Sequence, residues 1–402
     1  MKASEIPNLG PLHGLKVVLS GVEYAGPWAA ERMAEWGANV IWIENTYGGD
    51  TLRVQPTKEN DARNRRSISM DMFSEEGKKI LLELVKDADI FLESSKGGTY
   101  ARKGITDEFL WSAKKDLVIV HVSGFGLTGD PDYVTRPSFD GVTQAFTGFL
   151  SQNGYPDRPP VPSYPFVGDF LTAFTALSSA LAGVISARAT GEGESIDVAM
   201  CDSVMSIMSY NIVEYLNEGK LHERPGNLSL PYVGWGVYPC KKGYVYMGLG
   251  GNRQVRAMLE RIGMLDIIGT KDYPENVAYI FDDMENADLI TEKIYSWFAE
   301  RTSDEAEAEL GACGISIAKV NELPDLPDNP HVKARGMLTE WEMENGETTK
   351  GISIVPRFAN KKTGIWRSLP ALGEDTADIL EEAGYSEADI QKFADECVVK
   401  LG

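Results

Sequence analysis

With only four histidines and four cysteines in 402 residues, the chain lacks the raw material for several kinds of chemistry. His13, His121, His222 and His331 lie far apart in the sequence and form no i, i+4 pair, so no zinc-type ligand set can be drawn from them. Cys201, Cys240, Cys313 and Cys397 contain no CxxC, which fits a reducing cytoplasm. Neither a GxSxG elbow nor an HExxH helix occurs, so serine-hydrolase and zinc-protease readings fail. Basic charge is short as well: 39 Lys and Arg face 60 Asp and Glu, a formal net charge of −21. A nucleic-acid backbone needs an extended basic surface, so the balance argues against such a partner. The opening Met1-Lys-Ala-Ser-Glu-Ile-Pro7 has no apolar core of the signal-peptide kind. No run reaches the ~18 uninterrupted apolar residues of a membrane helix. The sequon Asn227-Leu-Ser229 is therefore read as idle.

What the chain does have is a regular alternation of short apolar strands and amphipathic helices. Leu15–Leu19, Val40–Ile43, Ser67–Met72, Asp89–Leu92 and Leu117–Val122 read as strands. Gly26–Trp36 and Ser74–Val85 read as helices, the first opened by Pro27 and the second capped by Ser74. This alternation predicts a doubly wound, Rossmann-like α/β domain with a parallel sheet. Phe170–Ala189 and Met200–Glu218 are expected as long helices flanking a strand at Ser195–Ala199. Past Lys220 the texture changes to a polar linker, then a hairpin at Val237–Cys240 and Tyr244–Leu249 and further helices. The pattern predicts a large domain built from residues 1–220 and 330–402, with a smaller α+β domain inserted at 225–325. A strand at Ile352–Pro356 and helices at Thr376–Ala383 and Ser386–Cys397 complete the expectation.

Candidate chemistry is confined to a few places. The turn Ser20-Gly-Val-Glu-Tyr-Ala-Gly26 follows the first strand but has no GxGxxG, so a dinucleotide site is not expected. Asp169 ends the proline-rich Val161–Asp169 approach and opens an apolar helix. At a helix start it meets the positive end of the dipole and free backbone N–H groups, which favour an ionised, nucleophilic carboxylate. The plainer reading is that Asp169 is an N-cap, and spacing alone permits no more. A basic cluster combines Arg63, Arg65 and Arg66 before one strand with Lys96, Arg102 and Lys103 after another, suited to phosphates or to ordinary surface charge. Gly248-Leu-Gly250-Gly251 ends a hairpin strand and offers either a mobile loop or simple turn geometry. His121 and Cys201 read as buried core residues.

Taken in order, several blocks carry a resemblance: Ala25-Gly-Pro27, Ala34-Glu-Trp-Gly-Ala38, Glu93-Ser-Ser-Lys96, His121-Val-Ser-Gly-Phe-Gly126, Gln144-Ala-Phe-Thr-Gly148 and Gly191–Ala199. With Pro330–Gly336 and Gly384–Glu387 they resemble the class III (family III) CoA-transferases over essentially the whole chain, most closely the L-carnitine and bile-acid CoA-transferase branch. The resemblance implies a transferase of sulfur-containing groups, with Asp169 as nucleophile, an aspartyl anhydride and an aspartyl-CoA thioester. It implies no tightly bound cofactor and no metal, with coenzyme A or acyl-CoA and a small carboxylic acid as substrates, and an interlocked homodimer in the cytoplasm. Lys96 matches a CoA-phosphate contact; Arg102-Lys103 stands where that branch has two arginines. Gly248, Gly250 and Gly251 resemble an active-site glycine lid of the formyl-CoA branch, while Tyr24 replaces that branch's glutamine and counts against formate or oxalate. The acceptor reads first as a carnitine or betaine-type acid, then as a bile acid or 2-hydroxy acid. From another class, a non-catalytic CoA- or nucleotide-binding protein stays open.

Overall fold

The computed structural model describes residues 1–229 and 231–402 and divides the chain into two units. The first comprises Met1–Leu150, Pro162–Glu218 and Arg335–Gly402; the second comprises Ser151–Val161 and Gly219–Ala334.

The first unit is organised by a seven-stranded sheet. Its strands are β1 (Lys16–Ser20), β2 (Asn39–Glu44), β3 (Arg66–Met70), β4 (Ile90–Ser94), β5 (Val118–Ser123), β6 (Glu194–Ala199) and β12 (Val399–Lys400). The spatial order is β12-β3-β2-β1-β4-β5-β6, parallel except for β12. Continuous apolar runs such as Val17-Val18-Leu19 and Ile119-Val120 are fully buried because helices cover both faces. On one face α1 (Ala25–Glu35) and the long helix Val167–Thr190 pack against Val17, Val40, Val118 and Val120. On the other, the helix Glu75–Val85 and the terminal helices Thr376–Glu382 and Glu387–Asp395 cover Val18, Ile41, Phe91 and Ile119. The chain runs outward from β1 in both directions, to β2 and β3 on one side and to β4, β5 and β6 on the other. The crevice beyond the carboxyl ends of β1 and β4 is therefore the topological switch point where such sheets bind ligands.

Several local expectations hold for identifiable reasons. Ser74 accepts the Gly77 N–H at 3.0 Å and starts its helix as read. The long helix is long and apolar enough to cross a membrane by length and composition, yet Ala173, Ala176, Ala180 and Gly183 lie buried against the sheet unit. The stretch Met200–Glu218 is not one helix: it forms Met200–Ser206 and Ser209–Glu218, with a break at Ile207-Met208. The strand expected at Ile352–Pro356 is also misplaced. Instead β10 (Leu338–Glu342) and β11 (Thr348–Ile352) form a hairpin, and Pro356 cannot extend it because it lacks a backbone N–H. The sheet edge at β3 is closed by the returning chain: Asp375 Oδ2 accepts the Ser67 N–H at 2.8 Å, and Thr376 Oγ1 accepts the Ser69 N–H at 3.2 Å.

The second unit holds an antiparallel sheet of β7 (Gly236–Pro239), β8 (Tyr244–Gly248) and β9 (Ser316–Lys319). The first two form the anticipated hairpin; β9 and the helix Ser303–Ala312 before it escaped the sequence reading. The helices Asn252–Arg261 and Ala287–Ala299 complete a core around Tyr238, Met247, Ile294 and Phe298.

Candidate functional site

Three turns and one helix start meet at the switch point: the turn after β1, the turn after β4, the loop after β5 and the beginning of the helix Val167–Thr190. They enclose a cavity of about 230 Å³ whose charged lining residues are Glu23, Lys96, Arg136 and Asp169. A second cavity, about 220 Å³, opens at the ends of β1, β2 and β3 and shares Val22 and Ser94 with the first. The two form adjoining spaces along one sheet edge, a shape for a long, thin ligand.

Asp169 does not cap its helix. Phe166 occupies the N-cap, and Asp169 is the third helical residue. The capping is done from elsewhere: Asp140 Oδ1 accepts the Gly168 N–H at 2.6 Å. Asp140 is itself held by Gln144, whose Nε2 donates to Asp140 Oδ2 at 2.6 Å, while Gln144 Oε1 accepts the Ser163 N–H at 2.9 Å. These bonds fix both ends of the proline-rich approach. They also leave the Asp169 carboxylate with no hydrogen-bond partner among the described residues.

The charge state differs from the expectation for a helix start. Burial, then the negative charges of Asp140 and Glu23, push the Asp169 pKa up to about 7. The dipole of one helix does not offset desolvation plus two neighbouring carboxylates. The consequence is chemical: a carboxylate of higher basicity is a better nucleophile, and here half of it is still ionised near neutral pH. Glu23 is held in the left-handed region at φ 62, with its N–H on Asp50 Oδ1 at 3.0 Å and its Oε1 accepting from Thr51 Oγ1 at 2.9 Å. Such backbone strain in a non-glycine residue persists only where the surroundings enforce it.

The cations sort into two groups. Lys96 is exposed and reaches the Asp169 cavity. Arg102 folds back on its own turn, donating to Gly97 O at 3.0 Å and Thr99 Oγ1 at 3.2 Å, and lines neither cavity. Lys103 also lines neither; its Nζ stands 6.0 Å above the ring of Phe73, which borders the second cavity. Arg63, Arg65 and Arg66 are not part of a phosphate site. All three are fully buried, paired with Glu35, Glu31 and Glu382 respectively. Arg63 and Arg65 precede β3 and Arg66 opens it, which puts all three at the amino end of the strand, away from the ligand edge. Arg136 is the cation the sequence reading missed; it lines the Asp169 cavity and stacks 4.1 Å from the Tyr133 ring centroid. Its signal was available, since it follows β5 as Lys96 follows β4. The acids Glu23 and Asp140 were also missed.

Gly248, Gly250 and Gly251 lie in the second unit, at the end of β8. Trp235 Nε1 donates to Leu249 O at 2.7 Å, the Gly250 N–H to Gln254 Oε1 at 3.1 Å, and the Gly251 N–H to Ala278 O at 2.8 Å. Only Gly251 needs glycine for its backbone, at φ 89 before the helix Asn252–Arg261. Among the described residues, no three His, Cys, Asp or Glu side chains are grouped to hold a metal ion.

The chain is similar to known proteins over nearly its whole length. The chain is similar to a CAIB/BAIF family protein from Brucella suis, at 26% identity and a TM-score of 0.77, covering 93% of this chain and 100% of that one. It shares its fold with Rv3272 from Mycobacterium tuberculosis, at 21% identity and a TM-score of 0.80, covering 92% of this chain and 99% of that one. Residues 12–376 match the sequence pattern of CoA-transferase family III. Since that match spans most of the chain, this protein belongs to CoA-transferase family III.

Proposed function

We propose that Asp169 is the covalent carboxylate in transfer of CoA from an acyl-CoA donor to a free carboxylic acid. The observation that carries this reading is an unpartnered carboxylate of raised pKa sharing one cavity with Lys96. An Asp169 oxygen attacks the thioester carbonyl, and the tetrahedral adduct collapses to a mixed anhydride and CoA thiolate. The thiolate attacks the Asp169 acyl carbon and expels the donor as a free carboxylate. The acceptor carboxylate attacks this aspartyl-CoA thioester and again releases thiolate. The thiolate takes the acceptor acyl group from the second anhydride and regenerates Asp169. Each step exchanges one anion for another, so the cycle closes without a net proton or electron.

Lys96 serves the CoA phosphates, and Arg136 is positioned to serve a phosphate or an acceptor carboxylate. The first acceptor class is a carnitine or betaine-type acid, ahead of bile acids and 2-hydroxy acids. A second copy of the chain is the expected partner: Phe174, Ile185, Val213 and Leu216 leave an apolar face on the helices of the first unit, at 51%, 72%, 51% and 73% exposure. Incubation with acyl-CoA followed by hydroxylamine should leave a hydroxamate on Asp169, read by peptide mass. A protein that transfers CoA with no label at Asp169 refutes the covalent role.

A further inference from the structure

Beneath the Lys96 turn lies a cluster that the proposed steps do not use. His121 sits near the carboxyl end of β5, in register with Glu93 on β4 and Asp197 on β6. Its Nδ1 is 2.9 Å from Glu93 Oε1 and its Nε2 is 2.9 Å from Asp107 Oδ1, on the helix Asp107–Trp111. A neutral imidazole has one N–H and can donate to only one of these carboxylates; an imidazolium donates to both. The second oxygen of Glu93 is also occupied, accepting from Ser95 Oγ at 2.7 Å, and the Ser95 N–H donates to Val122 O at 3.0 Å. The chain of contacts runs from Asp107 through His121 and Glu93 to Ser95, and the next residue is Lys96.

We propose that His121, as an imidazolium, is a positioning residue that locks the β4 turn and thereby sets Lys96 for the CoA phosphate. This rests on the reading of Lys96 as a phosphate contact. The groups around the ring pull in both directions: burial raises the Glu93 carboxyl against the His121 bond that lowers it. Asp197 is engaged with the Leu127 N–H at 2.8 Å, and Tyr100, which feels the Glu93 charge, is held neutral by burial. Burial works against a charged ring, but the hydrogen bonds and charges of Asp107 and Glu93 outweigh it and carry the His121 pKa to about 9. The partner Asp107 is correspondingly lowered by its bond to His121, against a desolvation that would raise it.

The test is a double-mutant cycle on KM for the acyl-CoA donor. In folded His121→Gln, KM should rise about tenfold with a much smaller change in kcat, the scale of one lost charge-assisted hydrogen bond. In a Lys96→Ala background the same change should add little, because the residue being positioned is gone. In the parent, KM should also climb as pH passes about 9, and His121→Gln should flatten that climb. If His121→Gln does not fold, Asp107→Asn breaks the same clamp from its half-buried side and gives the same cycle. Parental KM in the clamp variants, or full additivity with Lys96→Ala, overturns the positioning role. Parental KM in Lys96→Ala itself removes the Lys96 contact and the positioning role with it. A raised KM there with none in His121→Gln removes His121 alone.

Discussion

Asp169→Asn should separate stability from activity, and in an unusual direction. The fold raises the Asp169 pKa from 3.8 to about 7, so it binds the proton more tightly than the unfolded chain does. Stability attributable to this group is therefore highest at low pH and is lost as pH rises from about 4 to 7. At 1.36 kcal/mol per pKa unit the ionised fold carries a penalty of ~4 kcal/mol, reduced to about 2–4 by the open mouth of the cavity. Asparagine has the same shape and no charge to desolvate. The variant should be more stable than its parent, by ~1.5 kcal/mol at pH 5 and by the full penalty at pH 8. With roughly 2 °C per kcal/mol in a chain of this size, the gain in Tm should be about 1–5 °C larger at pH 8 than at pH 5. Differential scanning fluorimetry across that range reads it directly. CoA transfer should fall by several orders of magnitude, because an amide cannot form the anhydride. A Tm difference that is flat with pH would show that Asp169 is not desolvated, and a folded variant keeping a tenth of parental activity would end its nucleophile role.

The parent's kcat/KM should fall about tenfold per pH unit below ~7, because protonation removes the attacking carboxylate; a flat profile from pH 5 to 8 would contradict the assignment. Lys96→Ala should raise KM for CoA esters more steeply at low salt and leave kcat largely intact, and titration of initial rates against ionic strength decides it. Arg65→Met should cost about 3–5 kcal/mol in chemical denaturation by leaving Glu31 with only Arg63 at 3.8 Å and freeing the Pro27 and Asp61 carbonyls, while adding Glu31→Leu should recover the share due to Glu31. Gly251→Ala should lower Tm, since φ 89 excludes a side chain, whereas Gly250→Ala meets only van der Waals contact with Trp235 at 3.5 Å and should not. If that pair also leaves the ratio of transfer to thioester hydrolysis unchanged, the run is a turn and not a lid.

The sheet was readable because a parallel sheet covered on both faces leaves runs such as Val17–Leu19 and Val118–Val120. The site was readable only in part. Lys96 follows a strand and so had to lie on the ligand edge, but Arg63 and Arg65 precede one and Arg66 opens it, and strand polarity alone sends them to the opposite end. The cap of the Asp169 helix comes from Asp140, a residue 28 positions earlier on another helix, and no local pattern encodes that. The raised pKa of Asp169 follows from the same tertiary fact, since Asp140 and Glu23 act only through space. The break at Ile207-Met208 was hidden because neither residue opposes helix formation.

The closure of β3 by Asp375, Thr376 and β12 sets a condition on biosynthesis. Residues 16–123 supply five parallel strands early, but the outer edge of β3 receives its partners only from positions some three hundred residues later. During synthesis that edge presents free N–H and C=O groups, a template for pairing between nascent chains. A ribosome-stalled or prematurely terminated chain ending before Asp375 would therefore be prone to strand-to-strand aggregation, although the residues lining the Asp169 cavity would all be present.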